Sequence, residues 1–126
     1  MRVPAPPPDF PPVPPPSELA TLLDAHAPFG PAPLAPEVCV FQACDLTEVW
    51  EAAERLAGCP VPSPFWAYAW PGGQALARVL LDHPAWVRGR AVLDVGGGGG
   101  VAALAAARAG AARVLINDED PWALAV

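Results

Sequence analysis

Val92-Leu93-Asp94-Val95, followed by five consecutive glycines at positions 96–100, is the stretch of this chain best suited to holding a ligand. Glycines let the backbone take positive φ and approach a ligand with no Cβ in the way. The alanine-rich run 101–109 reads as a helix. Its free N–H groups and positive dipole end face whatever lies over the glycine turn. Arg113-Val114-Leu115-Ile116-Asn117 then reads as a second strand, closed by Asp118-Glu119-Asp120-Pro121. Strand, glycine loop, helix, strand and acid is the plan of a nucleotide-binding βαβ unit. An acid at the tip of the second strand accepts hydrogen bonds from both hydroxyls of a ribose. The plan predicts an adenosine-type cofactor.

Two frames compete for these glycines. A dinucleotide fingerprint can be laid on Gly97, Gly99 and Ala102, but a glycine run fits many frames. The other frame is Asp94-x-Gly96-x-Gly98-x-Gly100. It resembles the first motif of class I S-adenosylmethionine (SAM)-dependent methyltransferases. SAM carries no pyrophosphate, and an anion beside its sulfonium and ammonium is favourable. Asp94 would repel a pyrophosphate and suit a cation. A third reading needs no ligand at all, since glycines also serve tight helix–strand packing.

The elements that must position these groups follow from the rest of the chain. Residues 17–27 predict a short helix with Ser17 as N-cap, and the prolines of 28–36 break it. Residues 37–43 are β-rich and apolar, which predicts a strand. Leu46, Val49, Trp50, Ala53 and Leu56 recur at helical spacing over 46–57, and Gly58 ends that helix. Pro60, Pro62 and Pro64 make a stiff connector into the aromatic block 65–70. Pro71-Gly72-Gly73 turns the chain into a helix over 74–82 with Leu76, Val79 and Leu80 inward, stopped by His83-Pro84. Strands over 91–95 and 113–117 should be parallel neighbours joined through the helix over 101–109. A further helix is expected to start at Pro121 with Asp120 as its N-cap.

Composition bounds the function. The chain has 126 residues, and nine of its nineteen prolines fall in the first sixteen positions. Proline fixes φ and lacks an amide donor, so residues 1–16 should be extended and make few contacts. A net charge of −6 and a pI near 4.6 leave no basic stripe for phosphates, which argues against nucleic acid. The longest apolar run, 101–107, is far below the ~20 residues that span a bilayer, so no membrane partner is expected. Cys39, Cys44 and Cys59 lack metal-ligand spacing and read as reduced, mostly buried residues. His26 and His83 read as surface or capping residues rather than metal ligands, and no metal is expected. No basic segment with an apolar core opens the chain, so a cytoplasmic protein is expected.

Pro64-Phe65-Trp66-Ala67-Tyr68-Ala69-Trp70-Pro71-Gly72-Gly73-Gln74, read with the Val-Leu-Asp-Val-Gly loop and the Asn117-Asp118-x-Asp120-Pro121 turn, resembles the electron-transfer-flavoprotein β-subunit lysine methyltransferases and their bacterial relatives. The resemblance runs from about residue 34 to 126. It implies an α/β, Rossmann-like class I methyltransferase fold, with SAM as cofactor and a protein lysine as methyl acceptor. In that family the Trp matching Trp70 lines the SAM pocket, the glycines matching Gly96, Gly98 and Gly100 form its floor, and the acid matching Asp118 holds the ribose. No residue here is a convincing general base, so the catalytic residues are left unassigned.

Two departures from the family bear on affinity. The residue after the ribose acid is usually apolar and packs on adenine, but here it is Glu119. The loop usually has Ser or Ala at the position of Gly97 and a larger residue at Gly99, and extra glycines cost entropy on ordering. Both changes predict weaker cofactor binding. The division expected is a proline-rich, largely disordered arm with room for one short helix over 1–33, a strand and helix region over 34–90, and a truncated first βαβ unit over 91–126. A seven-stranded methyltransferase needs five more strands, so the chain reads as an incomplete domain and is expected to be inactive alone. Three classes stay open: a protein-lysine methyltransferase, a dinucleotide oxidoreductase built on the same βαβ unit, and a non-catalytic fragment.

Overall fold

The computed structural model describes residues 10–126, so the part of the proline-rich arm before Phe10 lies outside the described residues. Helix α1, Pro16–His26, buries Leu19, Leu22 and Leu23. Its N-cap is Pro15 rather than Ser17, without a side-chain cap, because Pro16 already occupies the first helical turn. The proline-broken stretch after α1 is a strand, β1 (Phe29–Ala32), antiparallel to β2 (Ala35–Phe41). Its register shifts between Pro31 and Ala32. β1 was not legible as a strand because proline cannot donate to a ladder and survives only at an edge or bulge.

Helix α2, Leu46–Ala57, has the expected bounds. Asp45 caps it, accepting from the Thr47 N–H at 2.8 Å, and Gly58 ends it in the left-handed region at φ 69°. Val49, Ala52 and Ala53 are buried against α1, Trp66 and Trp122. Trp50 lies at the edge of that stripe, its indole donating to the Val61 carbonyl at 2.8 Å.

Helix α3, Pro71–Asp82, starts three residues before the expected position, with Pro71, Gly72 and Gly73 inside its first turn. Its buried side is also rotated from expectation. Leu76 and Val79 are 48% and 37% exposed, while Gln74, Ala77 and Leu80 are buried. The reason is the neighbour, helix α4 (Val101–Arg108), which presents Val101, Ala105 and Ala106. Gly73, Ala77 and Leu80 share one face of α3, and small residues there let the two helices approach closely. A Cβ on Gly73 would lie 2.9 Å from Val101 Cγ1. The ion pair of Arg78 with Glu37 (2.9 Å) ties α3 to β2 at the surface, and a second with Asp82 (2.8 Å) lies within α3.

β3 (Ala91–Val95) and β4 (Arg113–Asn117) are parallel, in register Val92↔Val114 to Asp94↔Ile116, and α4 connects them. Val92 and Val114 face the α4 side, packed against Leu80, Val87, Ala106 and Ala109. On the opposite face Leu93, Val95 and Leu115 are 58%, 71% and 54% exposed. Period-two alternation makes this a half-covered sheet. The described residues therefore form a mixed α/β structure with two small sheets.

Three further expectations are corrected. Cys39, Cys44 and Cys59 are free but exposed, since Cys39 sits on the outer face of β2 and the other two lie in connections. Residues 121–125 form turns rather than a helix start, although Asp120 Oδ1 does accept from the Trp122 N–H at 2.9 Å. The end of the proline-rich arm is not free of contacts: Pro11 is buried, and its carbonyl accepts from the Trp122 indole N–H at 3.2 Å.

Gln74 joins the hairpin to the aromatic block. Its Oε1 accepts from the Leu34 N–H at 2.9 Å, and its Nε2 donates to the Ala69 carbonyl. Gln74→Leu keeps the volume and leaves both backbone groups without partners, so stability should fall by ~1–3 kcal/mol in urea denaturation. An unchanged midpoint would show that water satisfies both groups.

Candidate functional site

The five glycines of the loop divide into two kinds. Gly96, Gly98 and Gly100 have φ of 68°, 52° and 78°, a region that L residues rarely occupy. Gly97 and Gly99 have no such φ but have no room for a side chain. A Cβ on Gly97 would lie 2.6 Å from Ile116 Cγ2, and one on Gly99 would lie 2.6 Å from the Trp66 carbonyl oxygen. The departures at Gly97 and Gly99 are therefore required by packing. The 3₁₀ turn Phe65–Ala67 lies against the loop backbone, with Trp66 Cα 3.7 Å from where a Gly98 Cβ would stand.

The loop is fixed to β4 at two levels. Gly96 and Gly97 N–H groups both donate to the Asn117 carbonyl, at 2.8 and 3.2 Å. One residue on, Asp118 Oδ2 accepts from the Gly98 N–H at 2.8 Å, and Oδ1 accepts from the Asp120 N–H at 3.0 Å. The acid expected to hold a ribose thus also sets the loop. Each carboxylate oxygen has a second lone-pair direction, so both keep capacity for a ligand hydroxyl.

A cleft of about 560 Å³ opens over the loop, within the size range of small-molecule sites. Of the expected site residues, Trp70, Gly96, Gly98 and Asp118 line it. Asp94 and Gly100 do not form part of its wall. Asp94 shares the α4-side face of β3 with Val92, and its Oδ2 is buried beneath Gly97 with no hydrogen-bond partner among the described residues. It would act on a ligand through its field across the loop, not by contact. Gly100 is buried and opens α4. Trp70 is 44% exposed and is not a core residue. Its indole donates to the Phe65 carbonyl at 2.8 Å, and its ring meets Tyr68 edge-on at 5.1 Å.

Trp66 and Tyr68, which the sequence offers with Trp70 as candidates for an aromatic channel, also line the cleft, as do Phe10, Asn117 and Asp120, which no motif marks. Asp118, Glu119 and Asp120 together give one side a concentration of negative charge. Partial burial raises the Asp120 pKa above its ordinary value, and the neighbouring Asp118 charge pushes the same way against the Trp122 N–H bond. Asp120 therefore binds its proton more readily folded than unfolded. Its contribution favours the fold at low pH and is lost as pH rises through the folded value. Carboxyl ¹³C NMR should find Asp120 titrating above the usual aspartate range, and a titration at or below it would contradict this environment. Among the described residues, no group of three or more His, Cys, Asp or Glu side chains could hold a metal ion, and no helix is long and apolar enough to cross a membrane.

The glycine cradle, the cleft volume and the acid after β4 leave room for a nucleoside-sized ligand. The family model described as ribosomal protein L11 methyltransferase (PrmA) matches residues 77–126. The mouse electron transfer flavoprotein beta subunit lysine methyltransferase is 54% identical over 74 residues, covering 59% of this chain and 28% of the mouse protein. The human protein of the same name is 54% identical over 74 residues, 27% of its length. The Xenopus laevis protein is 48% identical over 91 residues, covering 72% of this chain and 36% of that protein. The chain thus spans between about a quarter and about a third of the length of these relatives. No solved structure matches it at a comparable level. Over the matched residues, this chain is similar to the electron transfer flavoprotein beta subunit lysine methyltransferases.

Proposed function

We propose that the whole protein is a SAM-dependent methyltransferase that transfers a methyl group to a protein lysine, on a Rossmann-like class I fold begun by β3, α4 and β4. The observation that carries this reading is Asp118 at the end of β4, hydrogen-bonded to the glycine loop and open to the cleft. The lysine methyltransferases named above supply the reaction class. The acceptor we infer is a lysine of a protein like the electron transfer flavoprotein beta subunit. The three exposed free thiols suit a reducing compartment, and we assign the protein to the cytoplasm.

When bound, SAM supplies a methyl group already activated by its sulfonium. The chain's own part is to bind, orient and exclude water. Asp118 takes the ribose hydroxyls, and the backbone of Gly96 and Gly98 allows close approach over the loop. Trp66, Tyr68 and Trp70 give the cleft an aromatic wall. A low-dielectric wall favours the neutral amine over the ammonium, and alignment of that amine does most of the catalytic work. The test is transfer of radiolabelled methyl from SAM to the electron transfer flavoprotein beta subunit by the intact protein. Label on lysine is expected. Label on another residue type, or none above a no-enzyme control, would contradict the reading.

A further inference from the structure

The chain segment just before α1 reaches the cleft. Phe10 is half-buried and lines the cleft beside Trp66 and Asp120. It also lines a small adjoining pocket with Pro11 and Trp122. Phe10 is held there from its C-terminal side, because Pro11 is buried and its carbonyl accepts from the Trp122 indole N–H at 3.2 Å. Trp122 is in turn fixed by its own N–H to Asp120 Oδ1 at 2.9 Å and by the neighbouring Trp66 ring, 6.4 Å centroid to centroid. A strap from the far end of the sequence is thus fastened to the turn that follows β4.

The first residue of that turn after Asp118 offers no apolar face. Glu119, the residue after the ribose acid, is exposed and carries a carboxylate. Phe10, Glu119 and Asp120 line the cleft together with Asp118, so a base attached to a ribose held on Asp118 has the Phe10 ring within the same cavity. Resting on the cofactor reading above, we propose that Phe10 is a binding residue for the adenine ring, replacing the surface that Glu119 does not provide. The proline-rich segment then serves to deliver this ring to the cleft. Its stiffness lowers the entropy lost in holding Phe10 in place.

Calorimetric titration of the intact protein with S-adenosylhomocysteine, with adenosine and with methionine tests this. Phe10→Ala should weaken S-adenosylhomocysteine and adenosine by the same factor, about three- to tenfold for loss of one aromatic contact. Phe10→Leu, which keeps apolar bulk without a ring, should also bind both weakly, and Phe10→Trp should restore them. Any methionine binding should be unaffected by all three. The assignment is overturned if Phe10→Leu binds adenosine as the wild type does, or if the loss in Phe10→Ala spares adenosine. Wild-type protein that binds neither S-adenosylhomocysteine nor adenosine would instead overturn the cofactor reading itself.

Discussion

Gly99→Ala is expected to be the most damaging single methyl in the loop. Its Cβ would stand 2.6 Å from the Trp66 carbonyl oxygen, and that atom is backbone in a turn buried at Trp66 and Ala67. Neither side can yield without moving the 3₁₀ turn or the loop, so a cost of ~1–3 kcal/mol in stability is expected, as for overpacked cores. Gly97→Ala meets Ile116 Cγ2 at the same 2.6 Å, but a side-chain methyl can shift, and the cost should be smaller. Gly96→Ala has nothing within 4 Å and suffers only from its φ of 68°, worth ~1–2 kcal/mol. The damage in Gly99→Ala should extend to the cleft, since the displaced loop takes the Gly98 N–H away from Asp118. Thermal melts and S-adenosylhomocysteine titrations of the three variants would check the ranking. Gly99→Ala binding as tightly as wild type would show that the loop is not held against Trp66 in solution.

Asp118→Ala is expected to have the larger effect on ligand affinity. The carboxylate accepts from Gly98 and Asp120 N–H groups at 2.8 and 3.0 Å, and in the proposed complex also from two ribose hydroxyls. Losing a charged acceptor from two hydroxyls should cost ~1.5–3 kcal/mol, roughly ten- to a hundredfold in affinity. The two freed N–H groups add loop disorder to that loss. Asp118→Asn keeps an acceptor oxygen for one of them and should fall between the two. An Asp118→Ala variant within twofold of wild type would remove Asp118 from the ligand contacts.

The βαβ unit was legible because each part carries its own local signal. Apolar runs of strand length flank an alanine-rich helix, and Gly110 closes it, with φ of 96°. The parallel pairing of β3 and β4 follows from that order alone. Helix α2 was legible to the residue because its apolar residues keep helical spacing and Gly58 marks its end, while the Asp45 cap emerges only in the structure. What escaped depends on partners distant in sequence. The rotation of α3 is set by alanines of α4, which no periodicity within α3 encodes. β1 was hidden by Pro31, whose missing donor is tolerated where the ladder shifts register.

The site was legible in part for the same reason. Trp70, Gly96, Gly98 and Asp118, each marked by a motif, line the cleft. Asp94 does not, because strand alternation turns its side chain toward the α4 side of the sheet, under Gly97. The requirement for glycine at 97 and 99 comes from Ile116 and Trp66, and only the folded structure brings these together. Phe10 stands in a segment whose composition signals extended chain, and nothing local marks it as a wall of the cleft.

The most direct test of the central claim sets two cofactors against each other in the intact protein. Calorimetric titration with S-adenosylhomocysteine should give saturable binding that Asp118→Ala weakens at least tenfold. The same protein titrated with NAD should give no binding heat, because the loop covers the buried, unpartnered Asp94 Oδ2, and among the described residues no Arg or Lys lines the cleft to compensate a pyrophosphate. Saturable NAD binding with no response to S-adenosylhomocysteine would contradict the account and make the βαβ unit a dinucleotide site.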